Sequence, residues 1–347
     1  MNQKEKNIDS GLRVKGILYI VNASSPEGDK VLEPFNMAQI ESIRQQGLEV
    51  DILNIQANRI KWNYFKAPFR LRKLLKKKQF DIIHGHYVYS GLIAATQRMA
   101  PSIVSFMGSD LNGAPKENGK MQLRGYIDIL LSHILEFFIG GIVVKTTGMH
   151  NRLYRKNKSM VLPNGVDFNV FRPIDRLDAR KYIGLDLSPE RKYIIFLGGP
   201  GSPVNKGYNL AKKIEEILKE RDPYIELLTV HGITHSEIPY YMNAADVMIF
   251  PSLREGSPNV VKEAMACNLP IVSTDVGDVS EVIKGVSGCR IVKREPQDFA
   301  DAIWDNLKTT KRTNGRQHIE HLRIENIAGQ LIQFYEAIIE KGMTKKS

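Results

Sequence analysis

Glu255 and Glu263 bracket a serine-proline pair in the stretch FPSLREGSPNVVKEAMACNLPIVSTDVGD, which runs from Phe250 to Asp278. Serine is a good helix N-cap and proline suits the first helical position, so a helix is expected from Pro258 to about Cys267 with Ser257 as its cap. The free amides of Asn259, Val260 and Val261 then form an end that attracts phosphate. Carboxylates beside such an end suit hydroxyl donors, such as a ribose diol and the hydroxyls of a sugar. Taken singly, Glu255 reads equally well as an exposed loop residue and Glu263 as an ordinary helix-surface residue. Their combination with GSPN and the strand ADVMIFPS points to a ligand.

A second candidate turn, GGPGSPVNKGYNLAKK, follows the strand YIIFLGG. Its glycines permit close approach of backbone to ligand, and Lys206, just before a helix beginning near Gly207, can reach a diphosphate as a point charge. The spacing fits neither the P-loop pattern nor GxGxxG. On its own Lys206 is equally an exposed helix-start lysine.

These residues need strand ends to hold them. From residue 14, short apolar runs (VKGILYIV, LEVDILNI, FDIIHGHY, SIVSFMG, GGIVVKTT) alternate with helical stretches, including one over 34–46 that stops at Gly47. Such alternation predicts a parallel sheet covered by helices on both faces. Charge and proline interrupt it around 171–190, as a linker would, and it then restarts at KYIIFLGG. The expected organisation is an N-terminal Rossmann-like domain over 1–172, a second over 173–322, and a C-terminal helix and tail over 323–347 that crosses back to the first. Two doubly wound domains facing each other leave a cleft at the carboxyl ends of their strands. In the first domain, His84, His86, Ser109 and Asp110 fall at strand ends. His86 is an acceptor contact or a hydrogen-bonded structural histidine, and Asp110 a ligand contact or a loop and helix-cap residue.

The composition, 42% hydrophobic and 25% charged over 347 residues, is that of a soluble globular protein with room for two domains. The apolar region from Ile127 to Val144 is interrupted by Asp128, Ser132, His133 and Glu136, against a transmembrane span. The N-terminus is polar where a signal peptide needs an apolar core, so a cytoplasmic protein is expected. Cys267 and Cys289 have neither disulfide-framework nor metal-ligand spacing and are expected in the core; no metal site is expected. The formal charge of +11 implies an acidic partner. Its densest cluster is PFRLRKLLKKKQFD, a basic amphipathic helix over 69–78 whose plain reading is a solvated face. Its functional reading is contact with an anionic membrane, giving peripheral association with the inner face. RNA-recognition motifs and stacking platforms are absent, against nucleic acid as partner.

The stretch REGSPNVVKEAMACNLPIVSTDVGDVSEVI resembles the E-x7-E signature of the retaining GT-B glycosyltransferases of family 4, the group 1 glycosyltransferases. GG…NKGYNLA resembles their phosphate-binding turn, and YMNAADVMIFPS and VLPNGVDFNVFRP are similar to the segments that lead into the signature and end the first domain. The resemblance covers most of residues 80–290. It implies a donor held by the C-terminal domain, an acceptor held by the N-terminal one, retention of configuration, and no required metal or cofactor beyond a nucleotide-sugar donor, UDP- or GDP-linked. Carried over by position, Glu255 contacts the donor sugar, Ser257, Pro258, Asn259, Val260 and Val261 the sugar and diphosphate, Glu263 the ribose, and Lys206 the diphosphate. Gly199 and Ser202 line the phosphate turn, where the family commonly has an arginine and this chain has Gly199, Pro200 and Gly201 after Gly198. Met107 replaces the histidine usual in HGSD, and the usual Gly-Gly turn after the first strand is absent from VNASSPEGDKVLEPFN. Implied by the whole is a glycosyl transferase acting on a sugar or lipid-linked acceptor in cell-surface polysaccharide or glycolipid assembly. Rival readings are a GT-B epimerase or phosphorylase, and a catalytically impaired sugar- or nucleotide-binding protein.

Overall fold

The computed structural model describes residues 13–22, 34–57, 60–113, 121–309 and 311–343. Contacts divide the chain into two units, one of residues 1–163 with 325–347 and one of 164–324. The first boundary therefore lies before the expected 172. Residues 164–172 pack on the second unit: Val166 bridges Arg323, and Arg316 donates to the carbonyls of Phe168 (2.9 Å) and Phe171 (2.6 Å).

In the first unit six strands, β1 (Gly16–Val21), β2 (Glu49–Asn54), β3 (Ile82–His86), β4 (Ser102–Phe106), β5 (Gly141–Val144) and β6 (Ser159–Val161), form a wholly parallel sheet of order β2-β1-β3-β4-β5-β6. The apolar runs are buried through every residue of β3, β4 and β5, as a sheet covered on both faces requires. Helices α1 (Pro34–Gln45), α2 (Asn63–Leu75), α3 (Tyr87–Ala94), the short α4 (Ser109–Asn112), α5 (Leu123–Phe138) and α6 (Thr147–Asn151) make the connections. Gly47 ends α1 at φ 90°, the left-handed conformation expected of a glycine there. The basic helix begins earlier than 69 and ends at Leu75. Lys78 lies beyond it, bridging Glu49 and Asp51 at 3.1 Å each.

The second unit opens with α7 (Arg176–Tyr182), within the stretch expected to be a bare linker. Asp175 caps it by accepting from the amides of Leu177 and Asp178, and Arg176 and Arg180 anchor it on Asp246. A short polar segment thus becomes a helix because charge pairing replaces apolar periodicity. Five parallel strands, β7 (Lys192–Phe196), β8 (Ile225–Thr229), β9 (Val247–Phe250), β10 (Ile271–Ser273) and β11 (Arg290–Ile291), follow in the order β11-β10-β9-β7-β8. They are connected by α8 (Tyr208–Arg221), α9 (Ile238–Ala244), α10 (Asn259–Ala266) and α11 (Val279–Val282), then followed by α12 (Pro296–Thr309) and α13 (Gly315–His318).

The last helix, α14 (Ile324–Met343), belongs almost entirely to the first unit. Its fully buried Tyr335 hydroxyl lies 2.6 Å from His84 Nδ1 and 2.9 Å from the Tyr19 hydroxyl, bringing β1 and β3 under the helix. Removing one buried hydroxyl from such a network costs about 1–3 kcal/mol. Tyr335→Phe is therefore expected to lower the unfolding free energy by that amount in urea titration, with the fold retained.

Candidate functional site

In the second unit the site is built where β7 and β9, neighbours in the sheet, end. The chain leaving β7 makes a tight turn in which the Gly199 amide donates to Ser202 Oγ (2.9 Å), and Gly199 lies against the His231 ring: a Cβ there would come within 2.1 Å of it. A single 3-10 turn, Val204–Lys206, leads to Gly207, whose left-handed φ of 83° starts α8. Only glycine fits, since a Cβ would stand 2.7 Å from the Pro251 carbonyl. The Leu253 amide donates to the Asn205 carbonyl at 2.7 Å, lacing this turn to the loop after β9. That places Lys206 beside Glu255. Half-buried Glu255 accepts from Ser252 (3.1 Å), and burial pushes its carboxyl up, against the opposing pull of the Ser252 hydroxyl and the Lys206 charge.

The helix that follows begins one residue later than its sequence suggests. Its N-cap is Pro258, and Ser257 does not cap it. The Ser257 hydroxyl instead donates to Asp278 Oδ2 at 2.6 Å and receives a short hydrogen bond from Lys262. Lys262 is fully buried and pairs with Asp278 at 3.0 Å. Burial pulls its ammonium down from its ordinary value, opposed mainly by the Asp278 carboxylate. Serine was recruited by an ion pair that sequence reasoning missed. The pattern had a trace in VGD after β10, where Gly277 (φ 62°) packs so close to the Gly256 carbonyl that a Cβ would meet it at 2.3 Å. The first amides of α10, from Asn259 to Val261, still lack intrahelical acceptors by geometry. Asn259 Oδ1 accepts from Asn164 at 2.9 Å, so its side chain is held to the start of the unit. Pro258 and Val261 are buried and Val260 is half-buried. Glu263 is buried and its Oε1 lies 3.0 Å from His235 Nε2, an imidazole that meets the Phe171 ring edge-on. His235 carried no sequence motif.

A cavity of about 500 Å³ opens at the start of α8, lined by Ser202, Gly207, Tyr208, Lys213 and Arg294 among others. Arg294, whose Nε donates to the Pro251 carbonyl at 3.0 Å, brings a guanidinium to a turn that lacks an arginine of its own.

In the first unit the strand-end residues separate into two kinds. Asp110 is buried with both oxygens engaged, accepting from the amides of Val88 (2.9 Å) and Met107 (2.7 Å). It ties together the loops after β3 and β4. Burial pushes its carboxyl up to about 6, with the two amides pulling down. Ser109 is exposed at the start of α4. His84 is the structural histidine, its Nε2 2.8 Å from Ser105 and its Nδ1 on Tyr335. His86 is equally buried, yet among the described residues neither ring nitrogen has a hydrogen-bond partner. Burial and the charge of Lys145 push it down to about 3, so it is a neutral imidazole with one open donor and one open acceptor. The segment 23–33, where the usual Gly-Gly pair is missing from the sequence, lies outside the described residues. Cys267 is buried and Cys289 half-buried, both as free thiols. Among the described residues no cluster of three or more His, Cys, Asp or Glu could hold a metal.

Comparison with known proteins gives two family matches: residues 191–309 match the model described as glycosyl transferases group 1, and residues 17–139 the one described as glycosyl transferase 4-like. A D-inositol 3-phosphate glycosyltransferase of Paenarthrobacter aurescens is 31% identical over 175 residues, 42% of this chain and 42% of that protein's length. Among solved structures, a sucrose-phosphate synthase of Thermosynechococcus elongatus superposes with a TM-score of 0.78 at 17% identity, over 94% of this chain and 100% of that one. Anabaena HepE in complex with UDP gives 0.67 at 14% identity, over 93% and 100%. At these identities the structural likeness carries the fold, two Rossmann-like parallel-sheet domains of the GT-B kind.

Two outcomes follow from the geometry. Lys262→Met leaves Asp278 buried without its counter-charge and is expected to cost about 3–5 kcal/mol in urea unfolding. For Asp110, the native state holds its proton more tightly than the unfolded chain. Its contribution is thus fully present below about 4 and is lost as pH rises through about 6. The stability difference between the protein and Asp110→Ala should fall by on the order of 3 kcal/mol between pH 4 and pH 7, read from urea titrations at each pH.

Proposed function

Since the chain belongs to the group 1 glycosyltransferases, we propose that it is a retaining enzyme that moves a sugar from a nucleoside diphosphate sugar, UDP- or GDP-linked, to an acceptor hydroxyl. The observation that carries this reading is the lacing of the Lys206 turn to the Glu255 loop beside the amide end of α10. Positive charge and free amides suit a diphosphate, and the two carboxylates suit hydroxyls. In this reading Glu263 holds the ribose, with His235 orienting it, and Glu255 holds the donor sugar. Ser257 and Pro258 act through position, by setting where α10 begins, and Gly199 and Ser202 shape the phosphate turn. Arg294 and Lys213 add positive charge beside it.

As the bond from the anomeric carbon to the diphosphate oxygen breaks, negative charge grows on the leaving group. Lys206 and the amides of Asn259, Val260 and Val261 stabilise it. A departing phosphate oxygen takes the proton of the acceptor hydroxyl while the new bond from the anomeric carbon to the acceptor oxygen forms on the same face. Charge and proton balance, and no cofactor beyond the donor is needed. His86, with both nitrogens open, contacts the acceptor, while Asp110 shapes that edge by tying its two loops and Ser109 stands exposed next to it. The basic α2 meets an anionic lipid surface, so the acceptor is lipid-linked or membrane-proximal, as in cell-surface polysaccharide or glycolipid assembly, and the enzyme works peripherally at the cytoplasmic face.

Calorimetric titration with UDP, GDP and their sugars tests the donor site. One nucleotide family should bind, Glu263→Ala should weaken it about tenfold, and Glu255→Gln should leave binding intact while slowing transfer by roughly 10²–10³. Absence of binding by any nucleotide or nucleotide sugar would overturn the enzymatic reading, and unchanged transfer in Glu255→Gln would remove Glu255 from it.

A further inference from the structure

Helix α5 is built the wrong way round for an ordinary surface helix. Its acidic residues and its serine turn inward, and only the basic Arg124 is fully outside: Ser132 and Glu136 are buried, Glu136 accepts from the amides of Tyr154 (2.8 Å) and Arg155 (2.7 Å), and Asp128 accepts from the Tyr89 hydroxyl at 2.7 Å. Its outward stripe is apolar, with Tyr126, Leu130, Ile134 and Phe137 at helical spacing and Leu123 and Phe138 at the ends. Leu130 is 59% exposed and Phe137 57%. No acidic side chain shares that stripe.

Helix α2 lies in the same layer, with the largely buried α3 between them: the Tyr64 ring of α2 packs on Tyr89 of α3 at 5.2 Å, and Tyr89 reaches Asp128 of α5. Outside it carries Phe65 (70% exposed) and Phe69 (73% exposed), with exposed Trp62 just before its first turn. Alongside these run Lys66, Arg70, Lys73 and Lys77, all exposed, and no acidic residue occurs between Ile60 and Phe80. Beyond the far end of α5, Arg152, Arg155 and Lys156 are exposed as well, with Arg155 over the Phe137 ring at 5.2 Å.

We propose that α5 and α2 together form a bilayer-docking face, in which the apolar stripe of α5 and the aromatic residues of α2 enter the interface of an anionic membrane while the flanking lysines and arginines meet its headgroups. The inference rests on the reading of a membrane-proximal glycosyltransferase and extends it from the basic helix to a helix that reading does not use. Charge decides the occupant. A second copy of the chain laid face to face would set these basic flanks against each other, whereas anionic headgroups neutralise them. Length decides the mode. The 16 residues of α5 span about 24 Å, too short to cross a membrane, and no described helix is long and apolar enough to do so. An apolar face of this kind lies in the plane of the interface. In a parallel sheet the connecting helices start at the carboxyl ends of the strands, so Trp62, Phe65, Leu123 and Tyr126 lie toward the edge where His86 sits, and docking brings that edge to the membrane.

The test is co-sedimentation of the full chain with phosphatidylcholine vesicles, with and without phosphatidylglycerol, alongside titration with UDP and with GDP. The protein should bind the anionic vesicles, and Lys73→Glu/Lys77→Glu and Leu130→Gln/Phe137→Gln should each weaken binding about tenfold or more, with nucleotide affinity unchanged. Protein that stays in the supernatant with both vesicle types overturns the proposal. So does vesicle binding that Leu130→Gln/Phe137→Gln does not weaken, or a dimer in analytical ultracentrifugation that this variant dissolves. Vesicle binding without nucleotide binding would leave the docking face standing and sink the glycosyltransferase reading, so the two fail separately.

Discussion

The candidate site of the second unit depends on one buried ion pair. Side chains in a helix lean toward its N-terminus, so Lys262, a turn inside α10, delivers its ammonium beneath the helix start. There it meets Asp278 at 3.0 Å and the Ser257 hydroxyl. Taking a lysine out of water costs several kcal/mol unless it is paired, and this arrangement gives it acceptors from two loops at once. The loop after β9 and the loop after β10 are thereby held together, and Gly277 lets their backbones touch. The start of α10, the amides of Asn259 to Val261 and the bracketing glutamates are placed by that constraint.

The first unit solves the same problem with hydrogen bonds in place of a charge pair. Register puts Tyr19 beside His84 and His86 beside Ser105, so the polar groups of neighbouring strands share one face of the sheet. Tyr335 closes over that face and satisfies Tyr19 and His84, while Asp110 holds the loops at the strand ends. His86 is the exception. A buried polar group without a partner costs about 1–3 kcal/mol, and among the described residues both of its ring nitrogens lack one, which is why the proposed reaction turns to it on the acceptor side.

The two units present different kinds of surface. The second concentrates fixed charge and backbone donors at strand ends, which suits a small anionic ligand. The first, besides its strand-end edge, exposes a broad apolar and basic layer made by α2 and α5, which suits a surface. The proposed donor chemistry and the proposed membrane contact thus lie on different units of the chain.

Sequence alone determined the two parallel sheets, because hydrophobic runs separated by helical periods have few other ways to bury themselves, and β1 to β11 follow those runs closely. It also offered Glu255, Glu263 and Lys206 as candidates, of which the structure sets Lys206 close enough for its charge to act on Glu255. It misjudged what depends on partners distant in the chain. Ser257 looked like a cap until Lys262 and Asp278 claimed its hydroxyl, and the supposed linker became α7 because Asp246 lay across from two arginines. Asp110 and His86 were indistinguishable as strand-end polar residues. Only tertiary packing gave one two amides and left the other with no partner among the described residues. Helix α5 shows the limit most directly: its composition is mixed, and only the direction of its polar residues, inward to Tyr89 and to the Tyr154 and Arg155 amides, turned its apolar side out. Local patterns set by periodicity and turn chemistry are written in the chain, whereas the partner of each buried polar group is decided by which elements the fold brings together.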